Sequence, residues 1–159
     1  MSHDPYELIS THQHKGALID TNLMLVYLIG QSGRHLLSRC GSTAQYEQEF
    51  EDIKVLVGHF SKLYTTPNVL TELSNLGYRD LGATFFEILR LFINLSEEQF
   101  CSSRDAVQDS SFSFLGLTDS SIAKLGKSTL VITTDVKLYL RLMNAGSPVI
   151  NYNHLRKFS

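Results

Sequence analysis

Short apolar runs alternating with amphipathic helical stretches predict an α/β domain with a mainly parallel sheet and helices on both faces. Two runs carry most of that prediction. Gly16 to Asp20, reading GALID, and Leu130 to Thr133, reading LVIT, are continuous apolar stretches of strand length. A strand buried on both faces has this pattern. Each leads at once into a helix start, the order a βα unit requires. The size agrees, because 159 residues is the length of one domain. With 43% hydrophobic and 19% charged residues the chain can build a core, which excludes global disorder.

The elements follow in order. Residues 1–15 are polar and His-dotted and are expected to form an extension before a domain spanning residues 16–152, with a basic tail at 153–159. His12 and His14 lie in that extension, where such a pair is ordinarily exposed and idle rather than a metal site. After the first strand, Asn22 starts a helix with Leu23, Val26, Tyr27 and Ile29 at helical spacing, and Gly30 to Gly33 end it. Residues 42–62 form another helical stretch with Ile53, Leu56, Val57 and Phe60 as its stripe. Leu63 to Thr65 is a second strand. Thr66-Pro67 is then a strong helix start, an N-cap hydroxyl before a proline at the first helical position, and Gly77 closes that helix. Residues 79–95 are amphipathic through Leu81, Phe85, Ile88, Leu89 and Phe92. A weak strand follows at Gln99 to Ser102. Thr118 caps a helix ending at Gly126, Thr134 caps one from Asp135 to Ala145, and Pro148 to Asn151 is the last strand.

Several function classes drop out. The longest unbroken apolar run, Leu23 to Ile29, has seven residues, whereas a membrane span needs about 20. The opening MSHDPYE lacks a secretory pattern, so a cytoplasmic protein is expected. Cys40 and Cys101 make neither a disulfide framework nor a thiolate zinc site. The net charge of −2 is unevenly spread: residues 120–159 hold six Lys and Arg against Asp135, a net +5, leaving −7 for residues 1–119. The basic quarter suits a polyanion, or is simply a solvated surface. Within it Lys137 and Arg141, four apart on one helix, are candidates for contacts to the phosphates of such a polyanion, with Arg156 and Lys157 extending the path.

Four carboxylates stand where acids are unusual. Asp20 ends an apolar strand, Glu72 shares a helix side with Val69, Leu73 and Leu76, Asp119 begins a helix, and Asp135 directly follows LVIT. Taken singly, the three aspartates have an ordinary use at helix N-termini. Glu72 is harder to dismiss, since an unpaired carboxylate near a core is costly. Ligands bind such sheets beyond the carboxyl ends of the strands. Four acids converging there would repel one another and need a cation, and an oxygen-only set suits Mg²⁺ or Mn²⁺ rather than zinc.

At these positions the chain resembles the PIN-domain ribonucleases, especially the VapC-like toxins. The matching pieces are IDTN (Ile19 to Asn22), TPNVLTEL (Thr66 to Leu73), LGLTDSSI (Leu115 to Ile122) and ITTD (Ile132 to Asp135), in the family's order. The resemblance implies a three-layer α/β/α sandwich and divalent-metal-dependent endoribonuclease activity. It implies that Asp20, Glu72, Asp119 and Asp135 are the acidic metal ligands, that Asn22 supports the first aspartate, and that Thr133 is the hydroxyl residue before the last. It further implies a homodimer and a small antitoxin protein that enters the site. Two alternatives stand beside this expectation. One is a PIN-like RNA- or protein-binding module without catalysis. The other is a phosphatase with Asp20 as nucleophile, whose usual second aspartate is replaced here by Asn22.

Overall fold

The computed structural model describes residues 4–40 and 43–155. Its centre is a five-stranded, wholly parallel sheet flanked by helices, a three-layer α/β/α sandwich. In chain order the elements are α1 (Pro5–His12), β1 (Ala17–Ile19), α2 (Thr21–Ser32), a 3-10 segment (Arg34–Cys40), α3 (Thr43–Gly58) and β2 (Leu63–Thr65). Then come α4 (Pro67–Leu81), a 3-10 turn (Gly82–Thr84), α5 (Phe85–Leu95), β3 (Glu97–Glu98), α6 (Ser103–Ala106) and α7 (Phe112–Leu125). The chain closes with β4 (Leu130–Thr133), α8 (Val136–Asn144), β5 (Val149–Asn151) and α9 (Tyr152–Leu155). Among the described residues no helix is long and apolar enough to cross a membrane.

The strand order is β3-β2-β1-β4-β5. Leu18 lies beside Tyr64 of β2 and Val131 of β4, and Ile132 lies beside Ile150 of β5. Every residue of β1, β4 and β5 is buried, which is why these segments read as apolar runs rather than alternating, with polar Thr133 and Asn151 only at the carboxyl ends of β4 and β5. β3 is short, exposed and carries two glutamates, a charged edge that discourages pairing with another chain. The connections after β1 and β4 leave in opposite directions, towards β2 and towards β5. A crevice therefore opens beyond the carboxyl ends of β1 and β4, the switch point at which open α/β sheets bind ligands.

The N-terminal segment corrects one expectation. The described part of the 1–15 segment, residues 4–15, is not simply an extension, because α1 lays Leu8 and Ile9 into the main core. The signal is local: Asp4 accepts a hydrogen bond from the Tyr6 N–H, and Pro5 occupies the first turn. His12 is buried with Nδ1 2.9 Å from the Leu8 carbonyl, whereas His14 is exposed, so the two do not face a common ligand. At the other end, Tyr152 is buried and α9 runs through Leu155, so the ordered fold continues into the supposed tail. Arg156 and Lys157 lie outside the described residues.

Two boundaries also moved. Gly77 does not end a helix; α4 passes through it to Leu81 and stops at Gly82, whose φ of 69° suits a residue without a side chain. Gly77 is needed for another reason, since a Cβ there would sit 2.1 Å from the Phe85 ring. The edge strand lies at Glu97–Glu98, two residues before the expected Gln99, with the Gln99 N–H bonded to the Thr65 carbonyl at 2.8 Å.

Candidate active site

Asp20 follows β1 and serves as the N-cap of α2, its Oδ1 accepting from the Asn22 N–H at 3.2 Å. Its own N–H reaches across to the Ile132 carbonyl of β4 at 3.0 Å, which pins the strand end. Asp20 is 7% exposed, and its Oδ2 accepts a short hydrogen bond from the Thr133 hydroxyl. Thr133 in turn accepts from the Asp135 N–H at 2.9 Å, so one hydroxyl ties the two strand-end aspartates together.

Glu72 projects from α4 and holds a hydroxyl on each carboxylate oxygen. Thr118 donates to Oε1 at 2.6 Å and Thr21 donates to Oε2 at 3.1 Å. Asp119 follows Thr118 on α7, just past Gly116, where φ 79° and ψ −176° kink the helix. That kink turns the segment 115–119 into the crevice. Asp135 caps α8, its Oδ1 accepting from the Leu138 N–H at 3.0 Å. The expected helix start therefore shifts by one residue, from Thr134 to Asp135.

All four acids line one pocket of about 320 Å³, together with Thr21, Asn22, Leu115, Gly116, Leu117 and Thr118. No lysine, arginine or histidine is among these lining residues. The electrostatics follow from the crowding. Burial pushes the Asp20 carboxyl above its ordinary value and Asp135 adds to the rise, against the lowering effect of the Thr133 and Asn22 donors. Asp119 is pushed up to about 7, first by burial and then by the charges of Asp20, Asp135 and Glu72. None of the described residues donates a hydrogen bond to it. A larger cavity of about 490 Å³ lies between α1, α3 and α9, but its lining is mostly apolar, with Asp52 its lone carboxylate.

The donor set fits a hard divalent cation, being oxygen-only and mutually repulsive. Among the described residues no group of three or more His, Cys, Asp or Glu side chains is arranged to hold an ion directly. Mg²⁺ keeps several of its waters and is held through as few as one or two carboxylates.

The predicted residues thus fall into three groups. Asp20, Glu72, Asp119 and Asp135 come together, and Thr133 supports Asp20. Asn22 also lines the pocket, but its backbone N–H, not its side chain, makes the bond to Asp20. Arg141 separates from Lys137. Its guanidinium makes a two-pronged pair with Asp109, at 3.2 and 2.8 Å, and Asp109 is nearly buried, with 3% of its side chain exposed. Arg141 therefore ties α8 to the segment before α7, while Lys137 remains exposed. The link of Thr21 and Thr118 to Glu72 escaped sequence reasoning although each adjoins a predicted acid; Thr118, expected to cap a helix, lies within α7 and gives its hydroxyl to Glu72 instead. Neighbours on a helix point about 100° apart, so adjacency does not reveal that both serve Glu72.

No protein-family model, curated protein or solved structure matches the chain.

Proposed function

We propose that the protein is a divalent-metal-dependent endoribonuclease of the PIN type that hydrolyses RNA phosphodiester bonds. The observation that carries this reading is the convergence of four carboxylates, from four separate segments, at the switch point of the sheet. Asp20 and Asp119 would hold the ion, with Glu72 and Asp135 completing the cluster. When bound, a divalent ion activates water and offsets charge developing on the phosphoryl group. The chain's own residues do the rest. Thr133 and the Asn22 N–H hold the Asp20 carboxylate in place. In this reading Lys137, exposed and two residues beyond Asp135, contacts backbone phosphate. A cytoplasmic homodimer paired with a small antitoxin belongs to the same reading.

The test is incubation of the purified protein with mixed RNA and single-stranded DNA, with and without Mn²⁺, beside Asp20→Asn. Mn²⁺-dependent cleavage of RNA that Asp20→Asn abolishes is expected. No metal-dependent cleavage, or cleavage that survives the substitution, would refute the assignment. A binding module without catalysis would retain RNA affinity and cut nothing.

A further inference from the structure

Among the described residues, the donors to the Asp20, Asp135 and Glu72 carboxylates are all groups without charge. Asp20 receives the Thr133 hydroxyl and a backbone N–H, Asp135 receives a backbone N–H, and Glu72 receives two threonine hydroxyls. A lysine or arginine would orient these acids equally well but would cancel the negative field that attracts a cation. A hydroxyl fixes the rotamer and leaves the charge in place.

Glu72, like Asp20, has a donor on each of its carboxylate oxygens. Its donors come from two elements far apart in sequence, Thr21 at the start of α2 and Thr118 on α7 beyond the Gly116 kink. A half-buried glutamate has three side-chain torsions to restrain, and one hydrogen bond on each oxygen removes most of that freedom. We infer that Thr21 and Thr118 are positioning residues for Glu72, and that Thr118 makes cation affinity depend on how the segment 115–119 is seated. This rests on the reading of the pocket as a cation site and adds two residues to it. Groups that orient metal-binding side chains typically contribute about 10–100-fold to metal affinity.

The experiment measures Mn²⁺ binding directly, by calorimetry or by the paramagnetic signal of the free ion, on the full chain. The proteins are wild type, Thr118→Val, Thr118→Ser, Thr21→Val and Glu72→Gln. Far-ultraviolet circular dichroism and unfolding in EDTA establish that each variant is folded. Thr118→Val is expected to weaken Mn²⁺ binding by about ten-fold or more, with Thr118→Ser restoring it because the hydroxyl returns. Thr21→Val should weaken it in the same direction, and neither valine should approach zero binding. A merely structural threonine would lower unfolding temperature in EDTA without changing affinity. If Thr118→Val does not fold, Thr21→Val carries the same comparison.

Folded valine variants that bind Mn²⁺ like wild type, while Glu72→Gln binds weakly, would overturn the positioning role and leave the cation site standing. Wild type that binds no Mn²⁺ would instead remove the cation site, and this inference with it.

Discussion

Replacing Asp119 by asparagine should make the metal-free protein more stable, and only above acid pH. The carboxyl ionises near 3.8 when the chain is unfolded and near 7 in the folded pocket. Folding therefore holds the proton on Asp119 over that interval, and the unfolded state binds fewer protons. Stability must fall as pH rises from about 4 to about 7, and the full penalty applies above that. At about 1.4 kcal/mol per unit, the shift corresponds to an upper bound near 4 kcal/mol. Asp119 is only half-buried, so water and salt screen much of this, and about 1–2 kcal/mol is expected. The asparagine side chain keeps the shape and loses the charge. In EDTA at pH 8 the variant should therefore unfold about 3–6 °C above wild type. At pH 4 the two curves should meet, since the wild-type group is then largely protonated in the fold. Thermal unfolding followed by circular dichroism across this pH range reads the effect. An Asp119→Asn protein equal to or less stable than wild type at pH 8, or a gain independent of pH, would refute the burial and mutual repulsion argued to raise this carboxyl. The same substitution should remove metal-dependent cleavage.

Other consequences are more local. Asp109→Asn should destabilise by about 2 kcal/mol, because Arg141 loses its charged partner; urea midpoints at pH 7 check this. Arg141 and the Ser111 N–H hold the Asp109 carboxyl below its ordinary range despite burial. This contribution is therefore present above the usual carboxylate pKa and fades as pH falls through the lowered one, so the difference between variant and wild type should shrink in strong acid. Gly77→Ala should lose about 1–3 kcal/mol by forcing a methyl into the Phe85 ring, again read by urea unfolding. Lys137→Ala should weaken RNA binding with a shallower salt dependence and an unchanged cleavage position, measured by salt-titrated binding; Arg141→Ala should act through stability instead.

The fold and the four acids were legible in the sequence because their signals are short-range. A strand buried on both faces must be apolar throughout, so GALID and LVIT announce β1 and β4 wherever they pair. Thr66-Pro67 marks the start of α4 because capping and proline geometry involve only a few neighbouring residues. An acid directly after a buried strand lies at the sheet's carboxyl edge by the geometry of the βα unit alone. Even so, local signals misled where two explanations share one residue. Gly77 looks like a helix stop and is a contact point for Phe85. Arg141 looks like a free cation on an exposed helix and is the partner of Asp109.

Tertiary structure alone decided which segments meet. β1 and β4 are neighbours in the sheet although Asp20 and Thr133 are 113 positions apart, and no local pattern contains that pairing. It arises because both faces of β1 and β4 must be covered, and at the interior of the sheet the helices on either side supply that cover. Once they are adjacent, Asp20 and Asp135 share Thr133, and the kink at Gly116 brings Asp119 and Thr118 to meet Glu72. The docking of α1 has the same origin, since Leu8 and Ile9 gain a core to enter only after the sheet exists. Sequence thus determined the elements and the chemical character of their ends, through interactions within a turn or a strand. The pairing of distant segments, which rests on shared burial across the whole domain, determined the site.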